Sequence, residues 1–449
     1  MRKLLVILVV LTSLQAWAQD EAFETAQQCV ANMRLGWNLG NTLESNSGDT
    51  LNMWIERWSD RTPKAYETAW GQPVTKPAFI KMLKEAGFNA IRVPVTWYPH
   101  MEAKFQLTGN AWYPSRDDIG TKINKTWMKR VREVVDYVIS QDMYCILNVH
   151  HDTGASSTAW IIADEANYAQ QHERFEAVWQ QIAEEFKDYD HHLLFEGYNE
   201  MLDVKRSWCF ASFNTEGKYD AAIASSAYNA INAYAQSFVD VVRATGGNNA
   251  QRNLIVSTYG ACCGEGSWNS HLQDPLKKML LPSDSASEGH LLFEVHCYPD
   301  ISNLSNAKSQ WRSTLSNLKT YLVKKGAPVI IGEWGTGGDN DYTERRENLL
   351  AFSRYLVEQS KANGIATFHW MGLSDGASRS VPEFNQADRL EAIVKGYYGE
   401  EGYVNAVCPP TFHSSDDSAV YTLSGMQKAV LRQSSGVSIQ NGRKFLQNK

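Results

Sequence analysis

Past residue 20, this chain of 449 residues has no apolar run long enough to span a bilayer, so no membrane-crossing helix is expected in its body. It also has no long basic run, and with a net charge of −7 it lacks the electrostatic footprint of a nucleic-acid-binding protein. There is no CxxC and no Cys/His cluster with structural-zinc spacing. No self-similar period of solenoid length is present. The segment after the first candidate strand, "GNTLESNSG", is not the Gly-rich phosphate loop that usually follows the first strand of a doubly wound sheet.

The composition, with 43% hydrophobic and 21% charged residues, is that of an ordinary globular protein, and the length suits one large α/β domain plus extras. Fifteen Trp is a high count; indole faces stack on sugar rings, although they also fill cores. The first residues read as a secretory signal: Arg2 and Lys3, an apolar stretch from Leu4 to Leu11, and the small-x-small site Ala16-Trp17-Ala18. Residues 1–18 are therefore expected to be removed. The seven Cys (Cys29, Cys145, Cys209, Cys262, Cys263, Cys297 and Cys408) are an odd number, which leaves at least one unpaired in an exported monomer. Cys145 and Cys297 fall inside apolar strand runs and read as small buried hydrophobes.

Short apolar runs alternate with amphipathic segments. Strands are predicted over residues 35–41, 89–95, 143–150, 193–199, 253–259, 291–297, 328–334 and 365–370. Between them lie helical patterns such as "WMKRVREVVDYVISQ", with Met128, Val131, Val134, Val135 and Val138 on one face. Eight strand–helix units is the number that closes a (β/α)₈ TIM barrel, and an open doubly wound sheet is the alternative. The barrel is expected over residues 19–400. Beyond it, residues 401–449 read as a linker and a short β-rich tail with a turn near Asn441-Gly442.

A barrel concentrates function at the C-terminal ends of its strands. Those ends carry Asn41, Arg92, His150-His151, Asn199-Glu200, His296 with Tyr298, Glu333 and Trp370. A lone Glu at a strand end is more simply a structural acid. Two of them, Glu200 and Glu333, each with polar neighbours, are what glycoside cleavage needs. His150-His151-Asp152 invites a metal reading, but adjacent residues on a strand face opposite sides, so hydrogen bonding to a substrate or to a catalytic Glu is the simpler account. Arg92, inside an apolar strand, must be paired, and a cation beside Glu333 would keep that acid ionised. Tyr298 could donate to the same oxygens. Trp370 is either core or the floor of a sugar site; Trp97, Trp160, Trp208, Trp268 and Trp334 individually read as packing and collectively suit an elongated cleft.

The ordered series "GWNLGNTLE", "ETAWGQPVTK", "GFNAIRVPVTW", "ILNVHHD", "LLFEGYNE", "VRATGGNN", "VHCYP" and "VIIGEWG" resembles glycoside hydrolase family 5, most closely its subfamily 4 of endo-β-1,4-glucanases and xyloglucanases, over roughly residues 31–398. The resemblance implies a (β/α)₈ barrel and a retaining mechanism without a cofactor or metal. Glu200 falls on the acid/base position and Glu333 on the nucleophile. Arg92, His150, Asn199, His296, Tyr298 and Trp370 fall on other recurrent active-site positions, and Asn199 would bind the sugar 2-hydroxyl. Asn41, Glu44 and His151 match substrate-contacting positions.

The chain departs from the family pattern at Met201, where Pro is usual. It also departs in "SNSGDTLNMWIERWSDRTPKA", "HDTGASSTAWIIADEANYAQQ" and "MGLSDGASRS", all expected to border the cleft. The tail from about Val420 resembles type IX sorting tails of Gram-negative bacteria. A monomeric enzyme acting on a β-glucan outside the cytoplasm (secreted, periplasmic or cell-surface) is the resulting expectation. A β-mannanase, a non-catalytic carbohydrate-binding barrel and a metal-dependent barrel hydrolase are the rivals.

Overall fold

The computed structural model describes residues 23–49, 52–108, 111–213, 218–284, 287–336, 345–407, 420–421, 436–440 and 443–447. The expected signal segment and Cys408 lie outside these residues. Eight parallel strands close a barrel in chain order: β1 (Gly36–Asn38), β2 (Ala90–Val93), β3 (Tyr144–Asn148), β4 (Leu193–Glu196), β5 (Leu254–Cys262), β6 (Leu291–Cys297), β7 (Val329–Trp334) and β8 (Thr367–His369). β8 pairs back onto β1 through Gly36 and Phe368, which completes the closure. The apolar runs are buried on both faces because one side of each strand fills the lumen and the other meets the helices.

The two-residue period of a strand sorts the lumen into layers. The lower layer is apolar: Ala90, Ile146, Leu194, Ile255, Leu292, Ile330 and Phe368 pack in one cluster with Ala26, Cys29 and Val30 of the helix Ala26–Asn32. Two residues further along the strands, the same face carries Asn38, Arg92, Asn148, Glu196, Ser257 and Glu294, all fully buried. One step above that stand His150 and His296. Charge thus enters the barrel at one level, directly beneath the C-terminal mouth.

The helices pack as their periodicity predicts, and all five apolar positions named above on Lys125–Ile139 are buried. Glu165–Glu185 and Ala221–Ala244 start at caps formed by the side chains of Asp164 and Asp220. A hairpin of Met101–Thr108 and Ala111–Ile123 was not expected from the pattern. The last barrel helix, Ala387–Val407, crosses the expected boundary at residue 400, with Gly399 breaking its dihedrals. In the tail, Val420–Tyr421, Gly436–Gln440 and Arg443–Gln447 form a small antiparallel sheet; the turn expected near Asn441-Gly442 lies outside the described residues. Among the described residues no helix is long and apolar enough to cross a membrane. All six described cysteines are unpaired, and Cys145 and Cys297 are buried in strands as expected.

Candidate active site

Arg92 organises the polar layer. Its guanidinium is fully buried and donates through Nε and NH2 to Glu196 at 2.6 and 2.7 Å. NH1 donates to Glu333 at 2.7 Å and to Asn38 at 3.0 Å, and NH2 also reaches Asn199 Oδ1 at 2.7 Å. Glu294 lies 3.4 Å from Nε. Burial opposes charge on this group, but the carboxylates around it, Glu196 and Glu294 foremost, outweigh it and raise Arg92 well above its ordinary range. Burial in turn pushes Glu196 up to about 7, against the pull of Arg92.

Glu333 is the penultimate residue of β7 and is 4% exposed. One oxygen takes Arg92; the other accepts from the Tyr298 hydroxyl at 2.6 Å and lies 3.5 Å from His296 Nδ1. Burial raises its carboxyl above the ordinary value, with His296 and Arg92 pulling it back. Glu200 follows β4, and its Oε1 lies 2.8 Å from His296 Nδ1. The other His296 nitrogen faces Glu294 Oε1 at 3.0 Å. Burial works against a charge on His296, yet Glu333, Glu200 and Glu294 around it hold the ring well above its ordinary value. Glu200, His296 and Glu333 each bring one ligand-type atom to within 4.8 Å of the others.

Hydrogen bonding also fixes the orientation of three neighbours. Asn148 accepts the Val95 amide on Oδ1, so its Nδ2 is the atom facing His150 Nδ1 at 3.0 Å and Glu196 at 2.8 Å. His150 Nδ1 must then accept, which places the His150 proton on Nε2, 3.9 Å from Glu333. Burial, with His151 and Arg92 nearby, keeps that ring well below its ordinary pKa and neutral. Asn199 turns Oδ1 to Arg92, a donor only, so its amide hydrogens are left for a ligand.

Trp370 follows β8 and lies parallel to the His150 ring, 5.9 Å away. His151, alongside at 4.5 Å, is pushed down to about 4 by burial and sits 5.5 Å from Trp70. Asn41 adopts a left-handed conformation at φ 59 and donates its amide to Glu44. Glu44 is fully buried and also takes the Thr42 amide, so it shapes the Asn41 turn and presents no surface to a substrate. Asp152 is equally structural, accepting from Trp97, Tyr98 and Trp160. Of the Trp residues expected to suit a cleft, Trp97, Trp160 and Trp334 are core; Trp208 and Trp268 are 45% and 60% exposed.

Glu196, Glu294, Asn38 and Asn148 were not singled out from the sequence. A signal for two of them exists: the run His-Leu-Leu-Phe-Glu occurs at both 192–196 and 290–294, each time placing an acid inside an apolar strand. Gly332 belongs with them. A Cβ there would lie 1.7 Å from Glu294 Oε1. Gly332→Ala is therefore expected to destabilise the fold by about 1–3 kcal/mol through overpacking and to lower activity by displacing Glu294 from His296. Denaturant unfolding and turnover, measured together, check this; an unchanged midpoint would mean the layer repacks freely.

The cellulase family (glycosyl hydrolase family 5) matches residues 56–375 of this chain. A solved GH5-4 broad specificity endoglucanase from an uncultured bacterium superimposes with a TM-score of 0.76 at 54% identity, over 84% of this chain and 97% of that one. A glycoside hydrolase family 5 enzyme from Prevotella bryantii B14, solved with a xyloglucan tetradecasaccharide, gives 0.70 at 38% identity, over 84% and 99%. Endoglucanase A of Clostridium longisporum is 32% identical over 402 residues, 84% of this chain and 67% of that protein. This chain spans 36% and 64% of two further curated relatives, and so corresponds to only part of their length. From the closed barrel, its paired glutamates and these matches, the chain belongs to glycosyl hydrolase family 5, the cellulase family.

Proposed function

We propose that this protein hydrolyses internal β-1,4-glucosidic bonds of β-glucans with retention, Glu333 acting as nucleophile and Glu200 as acid/base. The observation that carries the reading is the meeting of the two acids. One oxygen of each, with a His296 nitrogen, lies within a 4.8 Å group. Retaining glycosidases hold their carboxyl groups about 5–5.5 Å apart, whereas inverting ones leave about 6.5–9.5 Å for a water.

In the first step a Glu333 oxygen attacks the anomeric carbon while the bond to the leaving oxygen breaks and Glu200 gives that oxygen its proton. Water then enters, Glu200 takes its proton, and the glycosyl ester is cleaved at the anomeric carbon. Arg92 and Tyr298 hold Glu333 in place for attack. The Asn199 amide would donate to the 2-hydroxyl, and His150 Nε2–H to a second hydroxyl. Trp370 would stack on the sugar being cleaved. Because Glu200 must stand at the leaving oxygen, the leaving chain runs toward β4 and β5, and the retained chain toward β8, β1, His151 and Trp70. Export and a monomeric state belong to the same reading and rest on the N-terminal residues and the family resemblance.

The test is product analysis on carboxymethylcellulose, mixed-linkage glucan, xyloglucan and mannan, with the anomer of the first product read by NMR. Internal cleavage of the glucans with initial β-product is expected; preferential cleavage of mannan, or an initial α-product, sinks the reading. A pH dependence accompanies it. Glu333 attacks only when ionised and its carboxyl is raised, so activity is lost as pH falls through that raised value. The acidic limb of kcat/KM is therefore expected above the 4.5 of an ordinary glutamate.

A further inference from the structure

The stretch after β1 that departs from the family pattern folds into a five-residue helix, Trp54–Trp58. Its inner side is clamped. Met53, Ile55 and Glu56 are buried. The Glu56 carboxylate takes the Ser47 hydroxyl and, at 3.0 Å, the Tyr66 hydroxyl, and the Ile55 amide donates to Ser47 Oγ at 3.0 Å. Arg61 Nε closes the far end on the Glu56 carbonyl at 2.9 Å. Its outer side carries two indoles, Trp54 at 40% and Trp58 at 80% exposure, with the Arg57 guanidinium 5.5 Å from the Trp58 ring. Residues four apart on a helix share a face. A single exposed apolar side chain needs no explanation, but two indoles held side by side on a rigid mount form a patch.

The segment that carries the patch is tied to the cleft wall. From Trp370 the wall runs through His150 and His151 to Trp70. Trp70 donates its indole N–H to the Asn46 carbonyl at 3.1 Å, and Asn46 precedes Ser47, on which the Trp54–Trp58 helix hangs. His151 and Trp70 stand on the side toward which the proposed mechanism runs the retained sugar chain. We propose that Trp54 and Trp58 form a distal docking platform for the β-1,4-glucan chain, outside the reaction cleft on its glycone side, gripping polymer that short oligosaccharides are too short to reach. The faces of the rings take the apolar faces of successive sugars, and Arg57 supplies donors to their hydroxyls. The inference rests on the β-glucanase reading above.

The test compares wild type with Trp54→Ala, Trp58→Ala and the double variant on two substrates, a soluble mixed-linkage glucan and an aryl β-cellobioside. On the polymer, kcat/KM is expected to fall about 3- to 10-fold through KM, with turnover of the cellobioside and the melting temperature unchanged, because the clamp residues are intact. Affinity electrophoresis through glucan-containing gel should show reduced retardation of the double variant. Unchanged kcat/KM on the polymer together with unchanged retardation overturns the platform. A wild-type protein that sediments as a dimer and a Trp58→Ala protein that does not would instead make the patch a contact between copies. If wild type cleaves neither substrate, the β-glucanase reading is what fails.

Discussion

Glu333→Ala is expected to abolish measurable turnover of soluble β-glucan, a loss on the order of 10⁴- to 10⁶-fold, because no other group at the site can form the covalent intermediate. Glu333 makes its contacts through a 2.7 Å bond from Arg92 and a 2.6 Å bond from Tyr298, and truncation leaves a small space between those donors and the anomeric carbon. A small anion such as azide should occupy that space and restore part of the rate, releasing an α-glycosyl azide. Glu200→Ala should behave differently. General acid catalysis contributes about 10²–10⁴-fold, and that loss should appear on natural glucan while largely vanishing on aryl glycosides whose leaving group needs no proton. Substantial residual glucan hydrolysis by Glu333→Ala without azide would falsify the assignment of the nucleophile.

The second large effect is on stability. Arg92 is the guanidinium that Glu196, Glu294 and Glu333 share in the barrel layer. Breaking a buried ion pair by removing one partner costs about 3–5 kcal/mol, because the charge left behind has lost both water and its counterion. Arg92→Met should reach that range at neutral pH. Arg92→Lys should recover only part of it, since an ammonium cannot donate along two parallel lines to Glu196 while reaching Glu333. The deficit has a pH signature. Burial already raises Glu196 to about 7 and Glu333 above the ordinary 4.5. Removing Arg92 takes away a cation that pulls Glu196, Glu294 and Glu333 down, so each is expected to move up. A raised acid is least costly below its unfolded value and most costly once pH exceeds its folded one. The variant should therefore lie closest to wild type near pH 4 to 5 and fall away toward neutrality; denaturant midpoints across that range decide it. A deficit independent of pH would mean the loss is one of packing alone.

The residues that the periodic pattern handled well were those whose neighbours on the chain are also their neighbours in space. The pattern predicts strand β6 at its full extent and the buried stripe of Lys125–Ile139 position by position, because alternation and the 3.6-residue period are local. The same pattern does not predict the hairpin after β2. Glu44 shows the limit on the functional side: its position in the motif was legible, but its carboxylate turns inward onto the amides of its own turn.

By itself the sequence determined the barrel, its eight strands and the set of polar side chains at their ends, since strand length, alternation and turn residues are local instructions. Only the closed tertiary structure decided which of those side chains meet. Glu196, Glu294 and Gly332 come from three different strands, and nothing near any one of them in the chain specifies the other two. Their joint role follows from closure, which brings the same level of each strand to a common axis and leaves one guanidinium, Arg92, to balance the acids gathered there.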